Sequence, residues 1–155
     1  SKIIYKLLII GFSERDFLVF KSLVDSNGLN DRVVFMKRIE FYKLIPFFSA
    51  IDLGISFDLP SRTKSVGNSG QKVKQYISAG IPVISCAGQK LFDSFSNYGI
   101  KVDCLQDKMI SFGVHSAVKK YGIGFRFSSS TRNNIMQSYS IEKINDKRLS
   151  LWFNL

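Results

Sequence analysis

The 155-residue chain encodes an α/β fold in which a parallel sheet of about six strands is covered by helices on both faces. Three features point there. Apolar runs of strand length alternate with amphipathic segments of helix length. The linkers between them are short and rich in glycine, proline, serine and asparagine. The runs Tyr5–Ile10 and Pro82–Cys86 lack a strict polar alternation, as strands buried on both faces do. Consecutive strand–helix–strand units joined this way wind right-handed, so the strands run parallel.

Taken in order, Tyr5–Ile10 is the first strand and stops at Gly11. Ser13 caps a helix over Glu14–Asp25, whose apolar side is Phe17, Val19, Phe20, Leu23 and Val24, and Asn27-Gly28 ends it. Arg32–Met36 is the second strand. Phe41–Ala50 is a short helix made less regular by Pro46. Ile51–Phe57 is the third strand, and Leu59–Asn68 a polar, mobile loop. A helix over Gln71–Ala79 follows, closed by Gly80 and barred from continuing by Pro82. Pro82–Cys86 is the fourth strand, Lys90–Asn97 a helix and Gly99–Cys104 the fifth strand. The stretch from Ser111 to Lys120 is helical, Gly124–Phe127 is a short sixth strand, and Ser128-Ser129-Ser130 is a loop with a capping serine. Thr131–Gln137 and Ile141–Asn154 are closing helices, the last anchored by Trp152, Phe153 and Leu155. The whole is a Rossmann-like three-layer sandwich. In such sheets ligands bind at the carboxyl ends of the strands, the edge that carries Gly11 and the loops after Met36, Phe57 and Cys86.

Composition narrows the function classes. An apolar fraction of 45% excludes a disordered tail. The net charge of +10 suits a phosphorylated ligand or an anionic membrane surface, as well as plain solubility. Its basic residues are dispersed without an arginine-rich run or an aromatic–basic alternation, which argues against a nucleic-acid face. No apolar run approaches the roughly 18 residues of a membrane span, and no signal peptide is visible in the sequence, which leads straight into a strand. Cys86 and Cys104 lie beside apolar runs, where a thiol packs as a small hydrophobe. Two cysteines without metal-ligand spacing fit a reducing compartment. The abrupt start without methionine suggests a piece of a longer protein.

The densest signal is Gly67-Asn68-Ser69-Gly70-Gln71-Lys72-Val73-Lys74-Gln75-Tyr76-Ile77-Ser78-Ala79-Gly80-Ile81-Pro82-Val83-Ile84. Small residues open a helix, and the helix ends on a glycine just before a strand. The first N–H groups of a helix have no partner within it and stand at the positive end of its dipole, so Ser69 and Gly70 become anion donors. Lys72 is either a phosphate contact or a solvated helix residue. Tyr76 and Ile77 read as core, and Gly80 and Pro82 as structural. Gly11 is first a tight-turn residue, and Arg62 and Lys64 an exposed basic loop. His115, without a carboxylate or cysteine at ligand spacing, reads as a surface or capping residue. Asp52 reads as a turn residue. No metal site, nucleophile elbow or Walker loop is visible, and no catalytic residue can be named.

Four segments occur together in order: Leu7-Leu8-Ile9-Ile10-Gly11; Leu29-Asn30-Asp31-Arg32-Val33-Val34-Phe35; Ser49-Ala50-Ile51-Asp52-Leu53-Gly54-Ile55-Ser56; and Lys72-x-x-Gln75-Tyr76-x-x-Ala79-Gly80-Ile81-Pro82-Val83-Ile84. The series resembles the C-terminal, donor-binding domain of GT-B fold glycosyltransferases of the glycogen-synthase-like group (glycosyltransferase group 1). The resemblance covers about residues 5–103. It implies that 1–155 is one donor-binding half-domain, with the N-terminal acceptor domain lying outside this chain. It implies a bacterial, cytoplasmic enzyme that transfers a sugar from a nucleoside diphosphate sugar to a glycan or lipid-linked acceptor, building a cell-surface polysaccharide, lipopolysaccharide or glycoprotein glycan. It also implies no metal or other cofactor, a second domain as partner, peripheral contact with an anionic membrane at its inner face, and no activity for this piece alone.

The resemblance also assigns residues. Ser69, Gly70, Gln71 and Lys72 would receive the diphosphate, Gln75 the ribose hydroxyls, Arg38 and Ile39 the nucleobase through main-chain groups, and Gly11 the close approach of sugar or phosphate. Where the family carries a glutamate, this chain has Gln75. Where many members carry a second acid, about two helical turns earlier, it has Gly67. That loss opens a second reading, a non-catalytic binding or scaffold domain. A third, a flavodoxin-like regulatory or redox module, lacks both an acidic cluster and a flavin loop.

Overall fold

The computed structural model describes residues 4–57, 71–86, 96–138, 140, 143 and 150. The chain forms two compact units, Ser1–Phe47 and Phe48–Leu155.

In the first unit, β1 (Leu7–Ile10) and β2 (Val33–Met36) pair in parallel, from Leu7 opposite Val33 to Ile10 opposite Met36. Between them runs α1 (Glu14–Ser26). Its start follows from Ser13, whose hydroxyl accepts the Asp16 amide at 3.1 Å, while Glu14 and Asp16 lie at the positive end of the helix dipole. Its end is set by Gly28 at φ 63°, a conformation that other residues adopt only with strain. There the Gly28 amide reaches the Asp25 carbonyl (3.1 Å) and the Leu29 amide the Val24 carbonyl (2.9 Å), which satisfies two of the last carbonyls. Phe12, Phe17 and Phe35 pack as an aromatic trio with centroids 5.3–5.8 Å apart. Phe35 thus faces α1, whereas Val34, on the other face of the strand, is 48% exposed. The burial on both faces expected of the first strand is not met, and Leu7 is exposed. A two-stranded ribbon gives one helix only one face to cover, and Val19, Phe20 and Leu23 stay exposed as well. A 3₁₀ turn (Phe41–Leu44) then leads into α2 (Ile45–Ala50).

The second unit holds the core. Strands β3 (Gly54–Ser56), β4 (Val83–Cys86) and β5 (Gly99–Val102) form a parallel sheet with β4 in the middle. Every residue of β4 is buried, and its alternation divides the core in two. Val83 packs with Val73 and Ile77 of α3 (Gln71–Ser78) and Ile135 of α5 (Ser129–Ser138). Ile84, pointing the other way, packs with Val102 and with Ala117 of α4 (Asp107–Tyr121). Helices therefore cover both faces, the three-layer arrangement read from the sequence. Helix α3 closes as α1 does. Gly80 at φ 82° lets its own amide reach the Ile77 carbonyl (2.8 Å) and the Ile81 amide the Tyr76 carbonyl (2.9 Å).

Several expectations are corrected. Among the described residues there are five strands in two sheets, not about six in one. Gly124–Phe127 is not a strand, because its polar groups are engaged by loops. The Phe127 amide donates to the Gly80 carbonyl (2.8 Å), the Gly124 amide to the Asp52 carboxylate (2.8 Å), and Arg126 to the Ser49 and Ile51 carbonyls (both 2.9 Å). Helix α4 begins at Asp107, earlier than Ser111, without a side-chain cap on its first amides. Asp103 organises the preceding turn instead, accepting the Leu105 amide and the Gln106 side chain. The two cysteines are not separate thiols: Cys86 and Cys104 form a disulfide. Cys86 faces Val102 across the ladder, and Cys104 lies two residues further along on the same side. The loop 59–68, most of the helix expected over 90–97, and the closing helix with Trp152, Phe153 and Leu155 lie outside the described residues. Among those described, no helix is long and apolar enough to cross a membrane.

Ile77 is fully enclosed, so Ile77→Ala leaves a cavity between α3 and β4. Denaturant unfolding is expected to show a loss of about 2–5 kcal/mol. At Gly113, an added Cβ would lie 2.3 Å from Val102 Cγ1. The helix propensity gained by alanine, about 1 kcal/mol, is outweighed by overpacking of roughly 1–3 kcal/mol. Gly113→Ala should therefore destabilise, and Val102→Ala in the same chain should restore part of the loss in the unfolding midpoint.

Candidate functional site

Each unit presents a group of the expected site residues at the carboxyl ends of its strands. In the first unit these are Gly11, Arg38 and Ile39. Gly11 turns the chain out of β1 at φ 78° and donates its amide to the Met36 carbonyl at 3.2 Å. A Cβ at Gly11 would lie 4.0 Å from Arg38 Cα, so the two loops run side by side. Gly11 and Arg38 are exposed, and Ile39 is half-buried.

In the second unit the group rides on α3. Residues 79–82 join α3 to β4 directly, so the carboxyl end of the helix stands at the amino end of that strand. An eight-residue helix is about 12 Å long, and a four-residue strand about 13 Å. The first turn of α3, with Gln71 and Lys72, is thereby carried back to the level of the strands' carboxyl ends. Both residues are exposed. Gln75 is one turn beyond Gln71 on the same side of the helix, opposite the buried Val73 and Ile77, and is itself half-buried. The first turn bears no acidic residue, so no carboxylate of its own offsets the positive end of the dipole. Ser69 and Gly70, the expected amide donors, lie outside the described residues.

Other residues resolve into structural roles. Tyr76 packs edge-on against Phe48 with centroids 5.9 Å apart, and burial pushes its phenol up from the ordinary value, so it stays neutral and serves packing. A Cβ at Gly54 would meet the Tyr76 ring at 2.4 Å; only glycine lets the ring lie on β3. His115 is exposed on α4, its Nδ1 2.8 Å from the Ser111 carbonyl. Asp52 is more than the turn residue expected, because it ties the chain near β3 to Gly124. Ser56 and Ser85 are given no functional role by the sequence. They face each other in the β3–β4 register and are 2% and 0% exposed, the buried polar side chains among the described residues. A serine within an apolar run carries no signal of which edge it will occupy. No group of three or more His, Cys, Asp or Glu among the described residues could hold a metal ion.

No family model matches the chain, and no curated protein matches its sequence. Among solved structures, sucrose-phosphate synthase from Thermosynechococcus elongatus is similar, with a TM-score of 0.72 over 96% of this chain at 18% identity. The chain spans 38% of that protein's length. At this identity the likeness is one of architecture: the chain has a GT-B glycosyltransferase-like fold.

Proposed function

We propose that this chain is the sugar-nucleotide-binding part of a glycosyltransferase that moves a sugar from a nucleoside diphosphate sugar to a glycan or lipid-linked acceptor. The fold likeness to a glycosyltransferase over 96% of the chain carries the reading. The chemistry available on α3 supports it. Glycosyl transfer releases a nucleoside diphosphate, so negative charge grows on the leaving phosphates as the glycosidic bond breaks. Amides aimed at that charge, with a nearby cation, stabilise it without a metal, and one such donor is worth ~3 kcal/mol in the barrier.

In this proposal the amides of Ser69, Gly70 and Gln71 receive the diphosphate, and Lys72 adds its charge. Gln75 hydrogen-bonds the ribose diol, the main chain at Arg38 and Ile39 holds the base, and Gly11 leaves room for the donor. The acceptor would be bound by a further domain, so this part alone would not turn over. The positive charge of the chain would favour an anionic membrane at the cytoplasmic face, where lipid-linked acceptors are found. A second reading has one observation in its favour: the acidic pair of the resembled family is replaced by Gly67 and Gln75. On that reading the fold persists as a non-catalytic binding domain.

UDP and GDP titrations followed by amide chemical shifts test the proposal. Shifts are expected within residues 67–76 and near 38–39; shifts that avoid 67–76 would refute it. Lys72→Ala should weaken nucleoside diphosphate binding by roughly fivefold, the size of one exposed charge contact. The difference should shrink as salt screens it. Gln75→Glu in the full-length protein separates the two readings. A gain in donor affinity, read by calorimetry, marks a working nucleotide site, since a carboxylate accepts stronger hydrogen bonds from a diol. No gain, with donor turnover absent in both proteins, favours the scaffold.

A further inference from the structure

The cysteine pair sits where two neighbouring strands end. Cys86 is the last residue of β4, and Cys104 follows β5 by two residues. Their Cα atoms are 5.2 Å apart, and the bond closes a loop across a sequence separation of 18. The two cysteine residues differ in exposure. Cys86 is 1% exposed, whereas Cys104 is half-buried in the turn before α4. That turn is held by groups other than sulfur: the Asp103 carboxylate accepts the Leu105 amide at 3.1 Å and Gln106 Nε2 at 2.7 Å. The β4–β5 ladder likewise runs through Cys86 opposite Val102. Neither anchor involves sulfur, so both would hold the two thiols side by side after reduction.

We propose that Cys104 is a thiol–disulfide exchange site for a small-molecule disulfide of the glutathione class, with Cys86 as the resolving thiol. In the reduced protein, Cys104 gives its proton to solvent, and its thiolate attacks one sulfur of glutathione disulfide. A Cys104–glutathione bond forms, and one glutathione thiolate leaves. Cys86 then loses its proton and attacks the Cys104 sulfur; the second glutathione thiolate departs, and the Cys86–Cys104 bond remains. The two electrons end on the two glutathione thiolates, which take up two protons. Excess reduced glutathione drives the same steps backwards through attack on the Cys104 sulfur. Access sets the order, because a tripeptide approaches a half-buried cysteine more readily than one that is 1% exposed. A pair of this kind is compatible with a reducing compartment, where disulfides form transiently and report oxidation. Oxidation braces the carboxyl edge of the three-stranded sheet by joining the end of β4 to the turn that follows β5.

The test uses the whole chain, reduced and desalted, then mixed with glutathione disulfide, quenched with an alkylating agent and weighed intact. The wild type should pass through one glutathione adduct to an internal disulfide. Cys86→Ser should stop at a single stable adduct on Cys104. Cys104→Ser should react at Cys86 on the order of tenfold more slowly. The oxidised wild type should unfold roughly 5–10 °C above the reduced form, as expected for closing a loop of this length. Equal rates in the two variants, a wild-type product with two adducts, disulfide-linked dimers, or coincident unfolding temperatures would each overturn the proposal. The wild-type product and unfolding shift decide the matter even where a variant fails to fold.

Discussion

The double-sided burial of β4 is the constraint on which the second unit depends. Val83 and Ile84 are adjacent in sequence and point to opposite faces, so each nucleates a separate cluster. One joins α3 and α5 to the sheet, the other joins α4. Both residues are 0% exposed, and a shift of one residue in β4 would exchange the two faces and break both clusters together. Close contacts lock the layers further. Gly54 gives way to Tyr76 on one side and Gly113 to Val102 on the other, so the helices sit nearer the sheet than any larger residue would allow.

The position of α3 follows from this packing. Val73 and Ile77 hold it on the sheet, Gly80 turns the chain, and β4 follows at once. With the carboxyl end of the helix pinned beside the start of β4, its length alone brings Gln71 and Lys72 to the opposite edge. A core interaction thus decides where the exposed polar residues stand. The same economy appears at Arg126 and Asp52, which tie the irregular stretch before α5 to the chain flanking β3 in place of a sixth strand.

Features with local causes were legible before any coordinates. The Ser13 cap, the Gly28 and Gly80 helix ends, the helix over Gln71–Ser78 and the buried β4 each have their cause within a few residues. The features missed depend on residues far apart in the chain. Gly124–Phe127 has the composition of a strand, yet its amides and Arg126 find partners 47 to 77 residues away. Helix α4 starts without a capping serine or threonine because a carboxylate before it, Asp103, shapes the turn. The candidate site was legible as a helix opening with small residues. The expected site residues that are described form two groups, Gly11, Arg38 and Ile39 on the first unit and Gln71, Lys72 and Gln75 on the second.

From the order of its residues alone this chain establishes an alternating α/β architecture, parallel strands, and a helix whose first turn carries no acid. Those properties rest on periodicity, capping and dipoles, which act over one or two turns. Tertiary structure alone decided the strand count, the fate of the aromatic stretch before α5, the enclosure of Ser56 and Ser85, and the bond between Cys86 and Cys104. Each of these depends on which distant segment arrives alongside. Strand register and helix packing set that proximity, and no local pattern encodes it.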